Sequence, residues 1–182
     1  GREGLQRLSA AHVCVVGLGG VGSWTVEALA RSGVGTLTLV DLDEVCVSNI
    51  NRQLHALSTT VGQAKAAALA ERIALINPSC RVNIIPLFFK KTTADEILAP
   101  PYDYVVDAID GVAHKARLIG MCKQRGLPVI ASGAAGGKTD ATQIRIADLS
   151  DTIYDPLLAF IRKRLRKWFD FPRGDKKFGI PS

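Results

Sequence analysis

The stretch His12-Val13-Cys14-Val15-Val16-Gly17-Leu18-Gly19-Gly20-Val21-Gly22 carries the most specific pattern in the chain. A short apolar run ends in a cluster of glycines, and residues 22–32 (GSWTVEALARS) follow with helix formers up to Gly33. The run reads as a buried strand, and the segment after it as a helix that Gly33 stops. Glycines between a strand and a helix let the backbone turn tightly and come close to a phosphate. The unpaired N–H groups at the helix start favour negative charge there. Asp41 ends the next β-rich run, Thr36 to Val40, where a carboxylate can accept from ribose hydroxyls. A bound nucleotide is the expectation. At this point the pattern fits NAD as well as ATP.

Working outward, strands and helices alternate. Residues 62–76 (GQAKAAALAERIALI) are helix formers closed by Asn77-Pro78, and Arg81 to Ile85 reads as the third strand. A short helix over 93–98 leads to a fourth strand at Tyr104 to Val106, which runs into Asp107 and then Asp110. Residues 112–125 read as a helix ending at Gly126, Leu127 to Ala131 as a fifth strand, and Gln143 to Ile146 as a sixth. A glycine-rich loop at Gly133, Gly136 and Gly137 lies between the last two. Such alternation requires a mainly parallel sheet with right-handed crossovers and helices on both faces, a Rossmann-like α/β fold.

Residues 1–150 are expected to form the nucleotide-binding domain, and 151–182 a helical, basic extension of it. Pro156 suits the first turn of a helix, and Leu157, Ile161, Leu165 and Trp168 recur at helical spacing. That pattern would seat an amphipathic helix on the body and turn Arg162, Lys163, Arg166 and Lys167 outward. Lys and Arg balance Asp and Glu over residues 1–160, so residues 161–182 carry the whole formal charge of +6. A neutral body with one basic region points to a polyanion bound in one place; a solvated end explains the charge equally well.

Composition excludes several classes. The chain of 182 residues is 47% hydrophobic and 22% charged, ordinary for a globular domain, and has no apolar run long enough to span a membrane. Cys14, Cys46, Cys80 and Cys122 form no CxxC pair, so no structural zinc site is expected. Scattered thiols suit a reducing cytoplasm. His55 and His114 lie beside the motifs but read as packing or surface residues.

The segments after the glycine loop separate ATP from NAD. Asp41-Leu42-Asp43-Glu44 leads to Ser48-Asn49-Ile50-Asn51-Arg52-Gln53, then Val61-Gly62-Gln63-Ala64-Lys65, and later Asp107-Ala108-Ile109-Asp110. This ordered set, spread over residues 12–146, resembles the ThiF-type superfamily of adenylating enzymes. The stretches DLDEVCVSNINRQLHAL and SGAAGGKTDATQIRIADLSDTIYDPL resemble most closely the branch that dehydrates threonylcarbamoyladenosine in tRNA.

The resemblance implies a ThiF-type adenylation fold in which Gly17, Gly19, Gly20, Gly22, Asp41, Asp43, Ser48, Asn49, Arg52, Gln53, Lys65 and Asp110 hold ATP. Arg52 and Lys65 would act on the phosphates, and Asp110 would hold Mg²⁺ against phosphate oxygens. It further implies adenylation of the free carboxylate of the tRNA nucleoside, followed by ring closure with loss of water. Ring closure within one molecule needs no enzyme nucleophile. A cytoplasmic homodimer acting on tRNA follows from the same likeness, which also admits sulfur-relay proteins as partners. The alternative is adenylation of the C-terminus of a ubiquitin-like sulfur carrier. Relatives of that kind commonly carry paired CxxC zinc ligands and a downstream cysteine, and neither occurs among these residues.

Overall fold

The computed structural model describes residues Gly1–Ser182. Its sheet has five parallel strands, β1 (His12–Val16), β2 (Thr36–Val40), β3 (Arg81–Ile85), β4 (Tyr104–Asp107) and β5 (Val129–Ala131), in the spatial order β3-β2-β1-β4-β5. The order reverses between β1 and β4. In open sheets of this kind, ligands bind beyond the carboxyl ends of the strands at that reversal.

Side chains alternate across the central strand, as strand geometry requires. Val13 and Val15 face one layer with Val26 and Ala30 of α2 (Gly22–Arg31) and Leu69 and Ile73 of α3 (Lys65–Ile76). Cys14 and Val16 face the other, with Ile97 of α4 (Ala94–Ile97), Leu118 and Ile119 of α5 (Val112–Gln124), and Leu158, Ile161 and Leu165 of α6 (Pro156–Trp168). Both faces of the sheet are therefore covered, as the alternating pattern foretells. A helix that the sequence pattern does not announce, α1 (Arg2–Ala10), precedes β1 and buries none of its residues. Its only hint is Leu5 and Leu8 at helical spacing, and these stay 58% and 38% exposed.

The sixth strand expected at Gln143 to Ile146 does not form. Ala141–Gln143 make a 3-10 turn capped by the Asp140 carboxylate, which accepts from Thr142 N–H, and Ile144 and Ile146 point outward, 76% and 77% exposed. The free edge of β5 is met from elsewhere: Pro181 C=O accepts from Ala131 N–H at 3.0 Å. Ala147 and Ser182 exchange two hydrogen bonds of 3.0 and 2.8 Å, and Ile180 C=O accepts from Leu149 N–H. Chain from the far end supplies the covering, so local β-propensity at 143–146 has no partner to act on.

Helix α6 starts where Pro156 predicts, and the Asp155 carboxylate accepts from Leu158 N–H at 2.9 Å. Its buried stripe is Leu158, Ile161 and Leu165; Leu157 is only half-buried and Trp168 is 36% exposed. The outward face differs from expectation as well. Arg162 donates to Thr152 Oγ1, and Arg166 Nε donates to Pro172 C=O while its guanidinium lies over Phe178, so both are tied down. Lys163, Arg164 and Lys167 are the exposed cations of α6. Beyond the helix the chain turns back and buries Phe171, Phe178 and Ile180 in the same core, while residues 173–177 between them stay exposed.

Candidate active site

At the end of β1, Gly17 adopts φ +90, and a Cβ there would lie 2.9 Å from Ala108 C=O. A Cβ on Gly22 would sit 1.8 Å from Gly17 C=O, so the start of α2 packs directly on the loop backbone. Only glycine fits those two places. Gly19 and Gly20 leave room instead: their nearest neighbours are Gln53 Nε2 at 3.9 Å and Arg52 Cγ at 3.4 Å from an added Cβ. The glycine loop, Arg52 and Gln53 thus come together from separate parts of the sequence.

Asp41 ends β2. Its Oδ2 accepts from Leu18 N–H at 2.7 Å and its Oδ1 from Asp43 N–H at 2.9 Å, which ties the strand end to the glycine loop. A carboxylate has about four acceptor positions, so lone pairs remain for ribose hydroxyls.

The helix read from residue 62 begins three residues later, for a reason that places the lysine. Gly62 takes φ +88, Glu44 and Ala64 form an antiparallel bridge, and Val45 exchanges hydrogen bonds with Gln63 and Gly62. This short ladder holds the chain extended up to Lys65, whose N–H donates to Asp43 C=O at 3.0 Å. Lys65 Nζ then donates to Asp43 Oδ2 at 2.8 Å, with the lysine side chain 7% exposed and the aspartate 50%. Asp43 is therefore the structural partner of the lysine.

Ser48 and Asn49 lie in a 3-10 turn, Val47–Asn49. Asn49 is buried and its Oδ1 accepts from Cys46 N–H at 3.0 Å, so the side chain fixes the turn. Ser48 contributes its carbonyl, which accepts from Arg52 Nη1 at 2.8 Å; Asn51 Oδ1 takes a second bond from the same nitrogen at 2.9 Å. Trp24, on the outer face of α2, donates its indole N–H to Arg52 C=O at 3.0 Å.

On the other side of the reversal the β4–α5 turn carries Asp110, which is exposed. The turn is held from beneath by Lys115, wholly buried in α5, whose Nζ donates to Asp107 C=O at 3.2 Å and Ile109 C=O at 3.0 Å. The same ammonium pairs with Asp107 Oδ2 at 3.1 Å. Burial pushes the Asp107 carboxyl up, and Lys115 opposes that. Asp107 belongs to the motif read from the sequence, whereas Lys115 does not stand out there, because a lysine inside a helix ordinarily reads as surface.

His55, which reads from the sequence as a packing or surface residue, is buried. It is 3% exposed, and both ring nitrogens lack a hydrogen-bond partner. Burial and the charge of Lys65 lower its pKa to about 4, against the opposite pull of Asp41, so the ring is neutral. Gln53 is buried too, and its Oε1 is unpartnered. Cys14 and Cys122 are buried, with thiols pushed up to about 12 mainly by that burial, and are ill suited to nucleophilic work.

Comparison with known proteins gives this geometry a family. The tRNA threonylcarbamoyladenosine dehydratase of Haemophilus influenzae is 56% identical over 181 residues, 99% of this chain and 69% of that protein. The sulfur carrier protein adenylyltransferase of Thermus thermophilus is 43% identical over 110 residues, 60% of this chain and 40% of that one. The crystal structure of the Escherichia coli tRNA N6-threonylcarbamoyladenosine dehydratase in complex with ATP superimposes with a TM-score of 0.97 at 49% identity, covering 100% of this chain and 75% of that chain. The ThiF family profile matches residues 1–164, which include every element around the glycine loop, and the chain belongs to the ThiF family.

Proposed function

We propose that this chain uses ATP to adenylate the carboxylate of N6-threonylcarbamoyladenosine in tRNA and then closes that side chain into a ring with net loss of water. The observation that carries the chemistry is that Arg52 lies against the glycine loop and Asp41 is tied to it, while the buried Lys65 is held by Asp43, whose N–H donates to Asp41. Likeness over almost the whole chain to the dehydratases, against a shorter match to the sulfur-carrier enzyme, supports this substrate over a protein C-terminus.

In the first step a carboxylate oxygen forms a bond to the α-phosphorus as the bond to pyrophosphate breaks. Negative charge grows on the phosphate oxygens, and fixed cations stabilise it better than mobile water does. Lys65 is held by Asp43, and the Arg52 guanidinium by Ser48 and Asn51, so little reorganisation is needed. In the second step a carbamoyl oxygen or nitrogen attacks the acyl carbon and AMP leaves with one carboxylate oxygen. Reacting groups on one side chain have a high effective concentration.

Asp110 is the residue that would hold Mg²⁺. Its exposed carboxylate is a hard oxygen donor at the strand reversal, and no group of three His, Cys, Asp or Glu gathers into a metal cage. That donor set fits an ion carried mostly by phosphate oxygens, and Mg²⁺ there would neutralise charge on the departing pyrophosphate. Ser48, Asn49, Gln53, Gly17, Gly19, Gly20 and Gly22 complete the proposed nucleotide site, and residues 151–182 act as an extension of the 1–150 domain.

For the RNA, the surface of choice is the exposed face of α6. Lys163, Arg164 and Lys167 lie outward, and Arg164 and Arg117 flank the Trp168 ring at 5.0 and 5.7 Å. Phosphates suit the cations and bases suit the ring. A second copy of the chain would cover Val47, Ile50, Leu57 and Val61, which are 41% to 68% exposed, together with Trp24. No helix is long and apolar enough to cross a membrane; a tRNA substrate supports a cytoplasmic location.

The test is release of pyrophosphate and AMP from ATP with three acceptors: tRNA bearing the nucleoside, the same tRNA unmodified, and a sulfur-carrier protein ending in Gly-Gly. Turnover with the first alone supports the reading. Turnover with the carrier and not with the tRNA overturns it.

A further inference from the structure

We infer that Trp24 is a positioning residue for Arg52: with its neighbour Ser23 it fixes the turn that carries the guanidinium in register with the glycine loop. The inference rests on the adenylation reading and deepens it, adding a side chain that none of the proposed nucleotide contacts includes.

Trp24 is poorly placed for packing. The buried side of α2 is formed by Ser23, Val26, Glu27 and Ala30, and Trp24 stands off it with 54% of its surface in water. What the ring supplies is its single donor. The indole N–H reaches 28 residues along the chain and donates to Arg52 C=O at 3.0 Å. The preceding residue makes the complementary bond: Ser23, fully buried, accepts from Leu54 N–H at 3.2 Å through its Oγ. Adjacent residues of one helix thus offer the turn a donor and an acceptor. Two bonds of opposite sense fix both position and direction, because a slip of the turn along α2 would leave both groups without partners. No other hydrogen bond joins residues 50–54 to α2.

Each end of this link is itself held. Ser23 N–H donates to Gly19 C=O at 3.0 Å, and the close approach of Gly22 to Gly17 locks the same helix start to the glycine loop. At the other end the guanidinium bonds within its own turn, to Ser48 C=O at 2.8 Å and Asn51 Oδ1 at 2.9 Å. The guanidinium and the turn therefore move as one body, and α2 sets where that body stands against the loop. The fit is close, since Arg52 Cγ lies 3.4 Å from a Cβ built on Gly20. A cation stabilises charge on a transferring phosphoryl group best from a fixed place, and a displacement of about 1 Å can cost about 10²-fold in rate.

The experiment replaces Trp24 by benzothienylalanine, an isostere in which sulfur stands for the indole N–H, and by phenylalanine (Trp24→Phe). Each replacement is made alone and together with Arg52→Ala. Melting temperature, ATP binding and single-turnover AMP release with the modified tRNA are measured on all of them. Loss of one partly solvated hydrogen bond should lower the melting temperature by no more than about 4 °C. AMP release should fall about tenfold in both replacements, with ATP binding changed by less than about threefold. In the Arg52→Ala background neither should cost anything further. A fluorinated tryptophan at position 24 keeps the N–H and should keep the rate. Phosphorus NMR of a bound non-hydrolysable ATP analogue reads the placement of the guanidinium without turnover. There the isostere should move the resonances part of the way that Arg52→Ala moves them.

A wild-type rate in the isostere would overturn the inference while leaving the adenylation reading intact. So would a rate loss that persists in full beside Arg52→Ala, since Trp24 would then act by another route. Absence of ATP-dependent turnover in wild type would instead overturn the reading beneath it. The phosphorus spectrum decides the residue's role even then: a displacement towards that of Arg52→Ala upholds it, and any other result overturns it.

Discussion

Lys115 Nζ lies 3.1 Å from Asp107 Oδ2, and neither side chain is exposed. This pair closes the floor of the site. The lysine also takes the carbonyls of Asp107 and Ile109, and Ala108 between them is the surface on which Gly17 and Gly22 pack. A buried ion pair of this kind contributes modest net stability, yet removing one partner strands a charge. Lys115→Met should therefore destabilise the protein by about 3–5 kcal/mol in urea denaturation. Lys115→Met/Asp107→Leu should recover much of that loss. Equal destabilisation in the two variants would mean that the carbonyl bonds, and not the charge pair, fix the turn.

Gly22→Ala should abolish ATP binding and lower stability, because its Cβ would have to occupy space 1.8 Å from Gly17 C=O. Gly136→Ala, where nothing lies within 4 Å, serves as the matched control and should behave like wild type in both calorimetry and melting.

Arg52→Ala and Lys65→Ala should each slow adenylation by about 10²–10³ with a much smaller effect on ATP affinity. In the proposed reaction both cations would face charge that grows only in the transition state. Single-turnover AMP release compared with equilibrium ATP binding separates the two effects. A weakened affinity with an unchanged rate would assign the pair to ground-state binding.

Substituting Glu for Lys163, Arg164 and Lys167 should weaken tRNA binding and flatten its salt dependence. The slope of log affinity against log salt should fall by about one for each phosphate that is no longer neutralised. ATP binding should not change, since the residues proposed for the nucleotide lie on other elements, between β1 and the β4–α5 turn. Arg162 and Arg166 are engaged inside the protein, so their substitution should lower melting temperature more than the salt slope.

Asp148 predicts a pH dependence of stability. Partial burial pulls its carboxyl up, but hydrogen bonds from Ser150, Phe178 and Gly179 outweigh that and hold it at about 2. The folded value lies below the ordinary value of 3.8, so the stabilisation is full above that value and fades as pH falls towards 2. Asp148→Asn should melt lower than wild type at neutral pH, with the gap closing through this acid window. It should also loosen the closing segment 178–182, read as faster hydrogen exchange at Ile180 and Ser182.

Much of the fold and of the site is legible in the sequence because the informative patterns are local. A strand, a glycine loop and a helix occur in unbroken succession from His12, and each later strand ends at a turn residue, so the parallel sheet follows from order alone. The motif positions from Asp41 to Lys65 meet in space because the Val45–Gln63 ladder folds that segment back on itself. What the sequence does not announce depends on distant chain. The edge of β5 is met by Pro181, not by the β-formers at Ile144 and Ile146. Trp168 sits between two arginines outside the core, and Phe169 beside it packs against the core and over Gly120, while Leu158 takes the buried position expected of Leu157. Lys115 and His55 look like surface or filler residues until burial shows what each must satisfy.

Nucleoside mass spectrometry reads the proposed ATP-driven dehydration of a tRNA nucleoside at its product. tRNA carrying threonylcarbamoyladenosine is incubated with the protein, ATP and Mg²⁺, then digested under mild conditions. A nucleoside lighter by one water, formed with ATP and absent with Lys65→Ala, is the predicted result. Recovery of threonylcarbamoyladenosine at its original mass, from protein shown to be folded and to bind ATP, would contradict the account.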